Sequence, residues 1–215
     1  MNKITLIGID TAKVAFHLVG VDAHGHYTWR KQLRRSRLLS ALAQLECCEV
    51  VLEACGASHH WARSIKALGH KVRLIAPQHV KPYRRGQKND YRDAEAIISA
   101  TLSPGMCFVG IKRVDQQAEQ ALHRVRSRLM SHRNAAANAL RGLLGEYGVV
   151  FGHGFKPLRE GARRFAETEE AEALGLVELV SDVLEEISDL QRRMDHYERL
   201  IEQRVQADEI SRRLR

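Results

Sequence analysis

Four acidic residues occupy positions from which a fold could bring their carboxylates together. Asp10 directly follows the first apolar segment of the chain, and Glu53 ends the apolar segment 48–53. Asp90 and Asp93 lie three residues apart at the start of a predicted helix, which places both on one face. Strand ends and helix starts can meet at one edge of a sheet, where four carboxylates would repel one another unless a cation neutralised them. Hard oxygen ligands of this kind favour Mg²⁺ or Mn²⁺, and two such ions would suit phosphodiester chemistry.

The same acids also fit ordinary structural roles. Each can instead cap a helix, stabilise a first helical turn or lie in a turn between elements. Zinc is not indicated, because the pair His59-His60 and the nearby Cys55 are followed by no second ligand pair of suitable spacing. The glycine-rich phosphate loops of nucleotide-binding proteins are absent from the sequence. Spacing alone therefore leaves both the metal site and the structural interpretation open.

The positive charge of the chain is concentrated before residue 154. The 215 residues hold 34 Lys and Arg against 26 Asp and Glu, a net charge of +8. Residues 1–153 hold 23 basic and 11 acidic residues, a surplus of 12, whereas residues 154–215 hold 11 and 15, a deficit of 4. A basic region of this kind suits a polyanion such as nucleic acid, although such an imbalance also serves ordinary solubility. The basic residues that we expect to contact phosphates are Lys13, Lys81, Arg84, Arg85, Lys88, Arg92, Arg124, Arg126, Arg128, Arg133 and Arg141.

The elements that must hold the acids follow from apolar runs and the turns between them. Three short strands with tight connections come first, and helices then alternate with two further strands. The predicted strands cover residues 3–9, 14–20, 25–30, 48–53 and 71–75. The predicted helices cover residues 36–45, 58–68, 90–101 and 115–147, with a basic loop over 77–89. This order predicts an α/β fold with a mixed sheet covered by helices.

The last 45 residues have the clearest periodicity in the chain. Apolar residues recur at spacings of four and three: Leu176, Val180, Val183, Ile187, Leu190, Met194, Tyr197 and Ile201. A narrow seam sustained for close to four heptads, with charged residues between its members, favours a coiled coil. The alternative is an amphipathic helix packed on its own domain. The coiled coil predicts a homo-oligomer, a dimer or tetramer, in which partner chains cover the seam.

Three sequence motifs occur in order along the chain. They are Gly8-Ile-Asp10-Thr-Ala-Lys13, Leu52-Glu53-Ala-Cys-Gly56 and Lys88-Asn-Asp90-Tyr-Arg-Asp93-Ala-Glu-Ala-Ile97. An arginine-rich stretch follows between His123 and Leu144. Together these residues resemble the DEDD transposases of bacterial insertion sequences, the one-ten family, which are relatives of the Piv DNA invertase. The resemblance covers residues 1–150, and the heptad helix is similar to the coiled coil of that family.

The resemblance implies both an architecture and a chemistry. It implies a RuvC-like, RNase H-like domain over 1–105, a basic helix over 106–147 completing it, a hinge over 148–170 and a coiled coil over 171–215. It also implies that Asp10, Glu53, Asp90 and Asp93 are catalytic residues that bind Mg²⁺ or Mn²⁺, with DNA and a structured guide RNA as partners. The family continues into a second, helical domain with a nucleophilic serine, so we expect this chain to be the N-terminal part of a transposase.

Other functions remain open at this point. A RuvC-like Holliday-junction nuclease would need no further domain, and a truncated remnant would bind nucleic acid without catalysis. An actin-like sugar kinase shares the turn after the first strand, but the glycine-rich nucleotide motifs that it needs are absent from the sequence. The sequence shows neither a signal peptide nor an apolar run near the roughly 18–20 residues of a membrane span. We therefore expect a cytoplasmic protein, and the family resemblance implies a bacterial one associated with the nucleoid.

Overall fold

The computed structural model describes residues 3–11, 14–84 and 90–207, except for the side chains of Asp90 and Ala207. The chain divides into two compact units, Met1–Arg113 and Val114–Arg215. Each unit is considered by itself below. No helix within the described ranges is both long and apolar enough to cross a bilayer.

The first unit is built on a mixed sheet of six strands. These are β1 (Ile4–Thr11), β2 (Ala15–Asp22), β3 (Tyr27–Arg34), β4 (Glu49–Glu53), β5 (Lys71–Ile75) and β6 (Phe108–Val109). Their spatial order is β3-β2-β1-β4-β5-β6. The first three strands pair antiparallel, β4 is parallel to both β1 and β5, and β6 is antiparallel to β5. This confirms the predicted α/β fold with a mixed sheet.

Helices cover both faces of this sheet. They are α1 (Leu38–Leu42), α2 (Ser58–Ala67), α3 (Pro77–Val80) and α4 (Asp90–Leu102). On one face, Ile7 and Leu52 share an apolar core with Ile65 of α2. On the other face, Val51 shares a second core with Ile97 of α4. Because successive strand residues point to opposite faces, the short apolar strands β1 and β4 supply side chains to both cores.

Two local predictions for the first unit were wrong. Residues 77–83, expected to be loop, form α3 and a 3₁₀ turn over Lys81–Tyr83, because Pro77 at the first helical position suits a helix start. The helix predicted over 36–45 is shorter, since a 3₁₀ turn over Arg35–Arg37 precedes α1. The strand β6 was not predicted, because two residues are too few to establish a period.

The second unit consists of four helices. These are α5 (Val114–Gly145), α6 (Phe155–Ala166), α7 (Glu169–Ala173) and α8 (Val177–Ala207). Helices α5 and α8 run antiparallel, since Arg126 of α5 contacts Glu198 of α8 whereas Arg133, further along α5, contacts Gln191. Within this unit α5 packs with α6 and α8. Residues 155–166 of the expected hinge form the helix α6, and the completion of the first domain by the basic helix stays a prediction.

The heptad seam of α8 is covered within the chain. Val180 and Ile187 are buried in one core with Ala137 and Leu140 of α5, and Leu190 is buried beside Leu129. The predicted helix is therefore present, and its apolar stripe lies against α5. A heptad pattern specifies an apolar stripe and not the chain on which its partner helix lies, so the homo-oligomer stays a prediction.

Candidate functional site

Two of the predicted acids lie side by side at one end of the sheet. Strands β1 and β4 are parallel, and Ile9 pairs with Leu52, so Asp10 and Glu53 follow at the same level. Adjacent strands lie about 4.8 Å apart. Side chains alternate between faces, which places Asp10 on the face of Gly8 and Glu53 on the face of Val51, both toward α4. This is the edge at which open α/β sheets bind their ligands.

Asp93, another of the predicted acids, is linked to Glu53 by an arginine. Arg84 donates from Nη2 to Glu53 Oε2 over 2.7 Å and from Nε to Asp93 Oδ1 over 3.1 Å. The carboxylate side chains are mostly buried, at 17% exposed for Glu53 and 16% for Asp93, whereas that of Arg84 is 43% exposed. One guanidinium thus joins an acid at the end of β4 to an acid in the first turn of α4. Arg84 was predicted to contact phosphate, and the structure pairs it with two acids of the predicted tetrad.

A glycine brings α4 close enough to place Asp93 there. A Cβ atom added at Gly8 would lie 2.5 Å from the backbone oxygen of Ala94 and 2.8 Å from Cγ1 of Ile98. Both distances are shorter than atomic contact permits, so any side chain at Gly8 would push α4 away from β1. The glycine of the first motif therefore allows the helix of the third motif to pack on the strand that carries Asp10.

The fourth predicted acid, Asp90, is only partly described. Asp90 is the first residue of α4, and its side chain lies outside the described part of the structure. Among the side chains that are described, no three His, Cys, Asp or Glu residues form a group able to hold a metal ion. The donor set nevertheless fits Mg²⁺ or Mn²⁺, because Glu53 and Asp93 offer hard carboxylate oxygens. The two carboxylates already share one positively charged partner, the guanidinium of Arg84.

A histidine outside the predicted site residues lies beside Asp10. His17 pairs with Asp10 across the β1–β2 ladder and is 5% exposed. Its ring contacts that of Tyr91 on α4, with 5.1 Å between the centroids and an edge-to-face geometry. Residues directly opposite on paired strands point to the same face, so His17 packs between the sheet and α4. Only the strand register identifies it as a neighbour of Asp10.

Apart from Arg84, the predicted basic residues fall into three groups. Lys13, Arg85 and Lys88 lie outside the described ranges. Lys81, Arg92, Arg124 and Arg128 are exposed. The other three have contacts within the second unit: Arg126 pairs with Glu198, Arg133 contacts Gln191 and lies over the ring of Phe155, and Arg141 donates to the backbone oxygen of Gly154. The second group is more exposed than the third and is therefore the more accessible to a polyanion.

A further basic surface lies on α6, in the stretch expected to be a hinge. This surface, the α6 basic face, consists of exposed residues: Lys156, Arg159, Arg163 and Arg164. The opposite side of α6 buries Leu158, Ala162 and Phe165. The spacing of four and three residues between these apolar positions was the signal that could have predicted the helix.

The fold is thus an α/β domain with a mixed six-stranded sheet, and two of the predicted acids lie at one edge of that sheet. The chain belongs to the DEDD transposase family of the IS110 type, because the family model, described as "Transposase", matches residues 7–149. This confirms the family resemblance and sets the sugar kinase aside.

Transposases from several bacteria are similar to this chain. A "Probable family 20 transposase" of Pseudomonas aeruginosa is 42% identical over 214 residues, which are 99% of this chain and 63% of that protein. The "Transposase for insertion sequence element IS1111A" of Coxiella burnetii is 40% identical over 188 residues, 86% of this chain and 50% of the relative. The IS1328 transposase of Yersinia enterocolitica is 38% identical over 216 residues, 100% of this chain and 64% of the relative. The chain thus spans about half to two thirds of the length of these relatives.

One solved structure is also similar. It is the RuvC protein of T. thermophilus in complex with a Holliday-junction substrate, 12% identical, with a TM-score of 0.33 over 45% of this chain and 91% of that chain. A similarity at that score carries no argument, and the family membership rests on the match over residues 7–149.

Proposed function

We propose that this chain is the metal-dependent, DNA-processing N-terminal part of an insertion-sequence transposase. The observation that carries the proposal is that Glu53 and Asp93 both bind the guanidinium of Arg84. The strand that carries Glu53 pairs with the strand that carries Asp10, at the carboxyl edge of the sheet. Membership of the DEDD transposase family supports the same conclusion.

The acidic edge is the proposed catalytic site. Asp10, Glu53, Asp90 and Asp93 would hold Mg²⁺ or Mn²⁺, and these ions, when bound, activate a nucleophile and stabilise the leaving oxygen of a phosphodiester. The role of the chain is to present the carboxylates from three elements: β1, β4 and the first turn of α4. Strands and helices hold side chains more precisely than loops, which supports a site whose Glu53 and Asp93 carboxylates are placed before any ligand arrives.

We propose that DNA contacts both units through exposed basic side chains. In the first unit these are Lys81 and Arg92, and in the second they are Arg124, Arg128 and the α6 basic face. A structured guide RNA and a homo-oligomer, a dimer or tetramer, complete the proposal. The guide RNA rests on the family resemblance, and the oligomer rests on the heptad pattern of α8, whose seam packs against α5. DNA of an insertion sequence as the substrate implies the bacterial cytoplasm as the compartment.

Calorimetric titration with Mn²⁺ tests the metal site directly. The wild-type chain should bind Mn²⁺, and the double variant Asp10→Ala/Asp93→Ala should bind it at least tenfold more weakly, because two of the four carboxylates are removed. The matched control is Glu46→Ala, since Glu46 is an exposed acid of the same unit that pairs only with Lys3 among the described residues. Equal affinity in the wild type and the double variant would exclude the proposed site.

A further inference from the structure

We propose that Arg84 is a built-in counter-cation of the acidic edge, which a divalent ion must displace in order to bind. Arg84 thereby sets the metal affinity of the site. The inference rests on the proposed function, because it concerns the ion that the tetrad would hold.

The first argument is the geometry of the guanidinium. Its Nη2 and Nε atoms donate to two carboxylates on two different elements, at 2.7 Å from Glu53 and 3.1 Å from Asp93. Hydrogen bonds between ionised partners are about twice as strong as neutral ones. Without a cation at this point, two mostly buried carboxylates would face each other and repel. Arg84 thus supplies the positive charge that the pair requires when no metal is bound.

The second argument is that Arg84 and a divalent ion use the same oxygens. A metal ligated by Glu53 and Asp93 would lie where the guanidinium now lies, and the two cations would repel each other at that distance. Arg84 and the metal ion therefore cannot both bind Glu53 and Asp93 at full strength. Metal binding therefore includes the cost of breaking the two hydrogen-bonded ion pairs of Arg84.

The third argument is that Arg84, and not the acids, is the group that can move. Glu53 ends a strand paired on both sides, and Asp93 lies within α4. Arg84 instead follows a 3₁₀ turn in extended backbone, with φ −73° and ψ 116°, and its side chain is 43% exposed. A long side chain at such a position can turn into water without disturbing either core. The acids stay in place when the arginine leaves.

Titration of Mn²⁺ into Arg84 variants tests the inference. We expect Arg84→Ala to bind Mn²⁺ about tenfold more tightly than the wild type, because two charge-assisted hydrogen bonds no longer compete with the ion. Arg84→Lys, which keeps the charge without the planar fork, should fall between them. The matched control is Arg30→Ala, which removes an arginine paired to Glu95 of α4 at 2.6 Å, away from the proposed ligands, and should leave the affinity unchanged.

Thermal unfolding adds a readout independent of calorimetry. In the presence of a chelator, Arg84→Ala should melt below the wild type, because the two carboxylates lack their counter-cation. Saturating Mn²⁺ should raise the melting temperature of Arg84→Ala by more than it raises that of the wild type. If Arg84→Ala does not fold, Arg84→Gln removes the charge, keeps part of the side chain and allows the same comparison.

The possible outcomes separate the inference from the proposed function. Affinities of the wild type and Arg84→Ala within twofold of each other would overturn the counter-cation and leave the metal site intact. Weaker binding by Arg84→Ala would also overturn it, because Arg84 would then support the bound metal. Absence of Mn²⁺ binding in both proteins would overturn the metal site, and the inference with it.

Discussion

Arg126 of α5 binds Glu198 of α8 through two nitrogen atoms, with Nη2 at 2.6 Å and Nε at 2.9 Å from Glu198 Oε1. The pair lies beside the apolar contact of Leu129 with Leu190 and Met194. Together they align the two long helices in one antiparallel register. The polar contact is partly exposed and contributes little free energy by itself, so burial of the seam supplies most of the stability of this helix pair.

Charge placed in the seam should unfold the second unit. Val180 is fully buried, and Val180→Asp should lower the free energy of unfolding by about 3 kcal/mol or more, because it buries a charge with no partner. Urea unfolding followed by circular dichroism measures the change. Leu179→Asp, at the neighbouring position where the side chain is 37% exposed, is the matched control and should cost much less.

Sedimentation equilibrium of the same variants tests the proposed oligomer separately. If α5 covers the seam in solution, Val180→Asp loses helix content at every protein concentration. A variant that stays helical but changes from an oligomer to a monomer would show that a second chain covers the seam instead.

Gly8→Ala should weaken both the fold and the acidic site. The added methyl group would lie 2.5 Å from the backbone oxygen of Ala94, so α4 would have to shift, at a cost of about 1–3 kcal/mol. Because α4 carries Asp90 and Asp93, Mn²⁺ affinity should fall as well. Gly56→Ala is the matched control, since a Cβ at Gly56 would meet nothing within 4 Å. Equal stability and equal Mn²⁺ affinity in the two variants would contradict the close approach of α4 to β1.

Charge reversal on the α6 basic face should weaken DNA binding by the chain. Arg159→Glu with Arg163→Glu should lower the affinity for duplex DNA and reduce the slope of log affinity against log salt, by about 0.9 for each phosphate that is no longer neutralised. Arg193→Glu with Arg199→Glu, at two exposed arginines on α8, controls for the same change in net charge. Fluorescence anisotropy across a salt series measures both quantities. If the double variant keeps the wild-type slope, DNA binds a surface other than the α6 basic face.

The stability of the first unit should decrease at alkaline pH through Cys48. Burial raises the pKa of its thiol to about 11, with smaller contributions from Cys47 and Glu49. The unfolded thiol ionises near its ordinary pKa of 9.0, so above that pH the unfolded chain binds fewer protons and becomes favoured. Urea unfolding between pH 9 and 11 should show a loss of about 2 kcal/mol in the wild type that Cys48→Ala lacks. If the free energy of unfolding falls equally with pH in the wild type and in Cys48→Ala, Cys48 is not the cause.

Several features of this protein follow from the sequence alone. Apolar runs bounded by turns predicted five of the six strands, and the order of strands and helices predicted the mixed sheet. The sequence also placed Asp10 and Glu53 near the ends of two strands, although the pairing of β1 with β4 that brings them to one edge is seen only in the sheet. The three motifs also identified the family. These are local patterns, and each is complete within a few residues.

Tertiary structure decided which groups meet. Arg84 carries no mark in the sequence that separates it from Lys81 or Arg85, and only the approach of α4 to β4 pairs it with Glu53 and Asp93. The heptads of α8 predicted an apolar stripe, whereas the antiparallel return of the chain placed α5 against it. Any partner of suitable chemistry stabilises an apolar or charged side chain. The sequence pattern of such side chains therefore specifies only the kind of contact that they make. The partner itself is selected by how the whole chain packs.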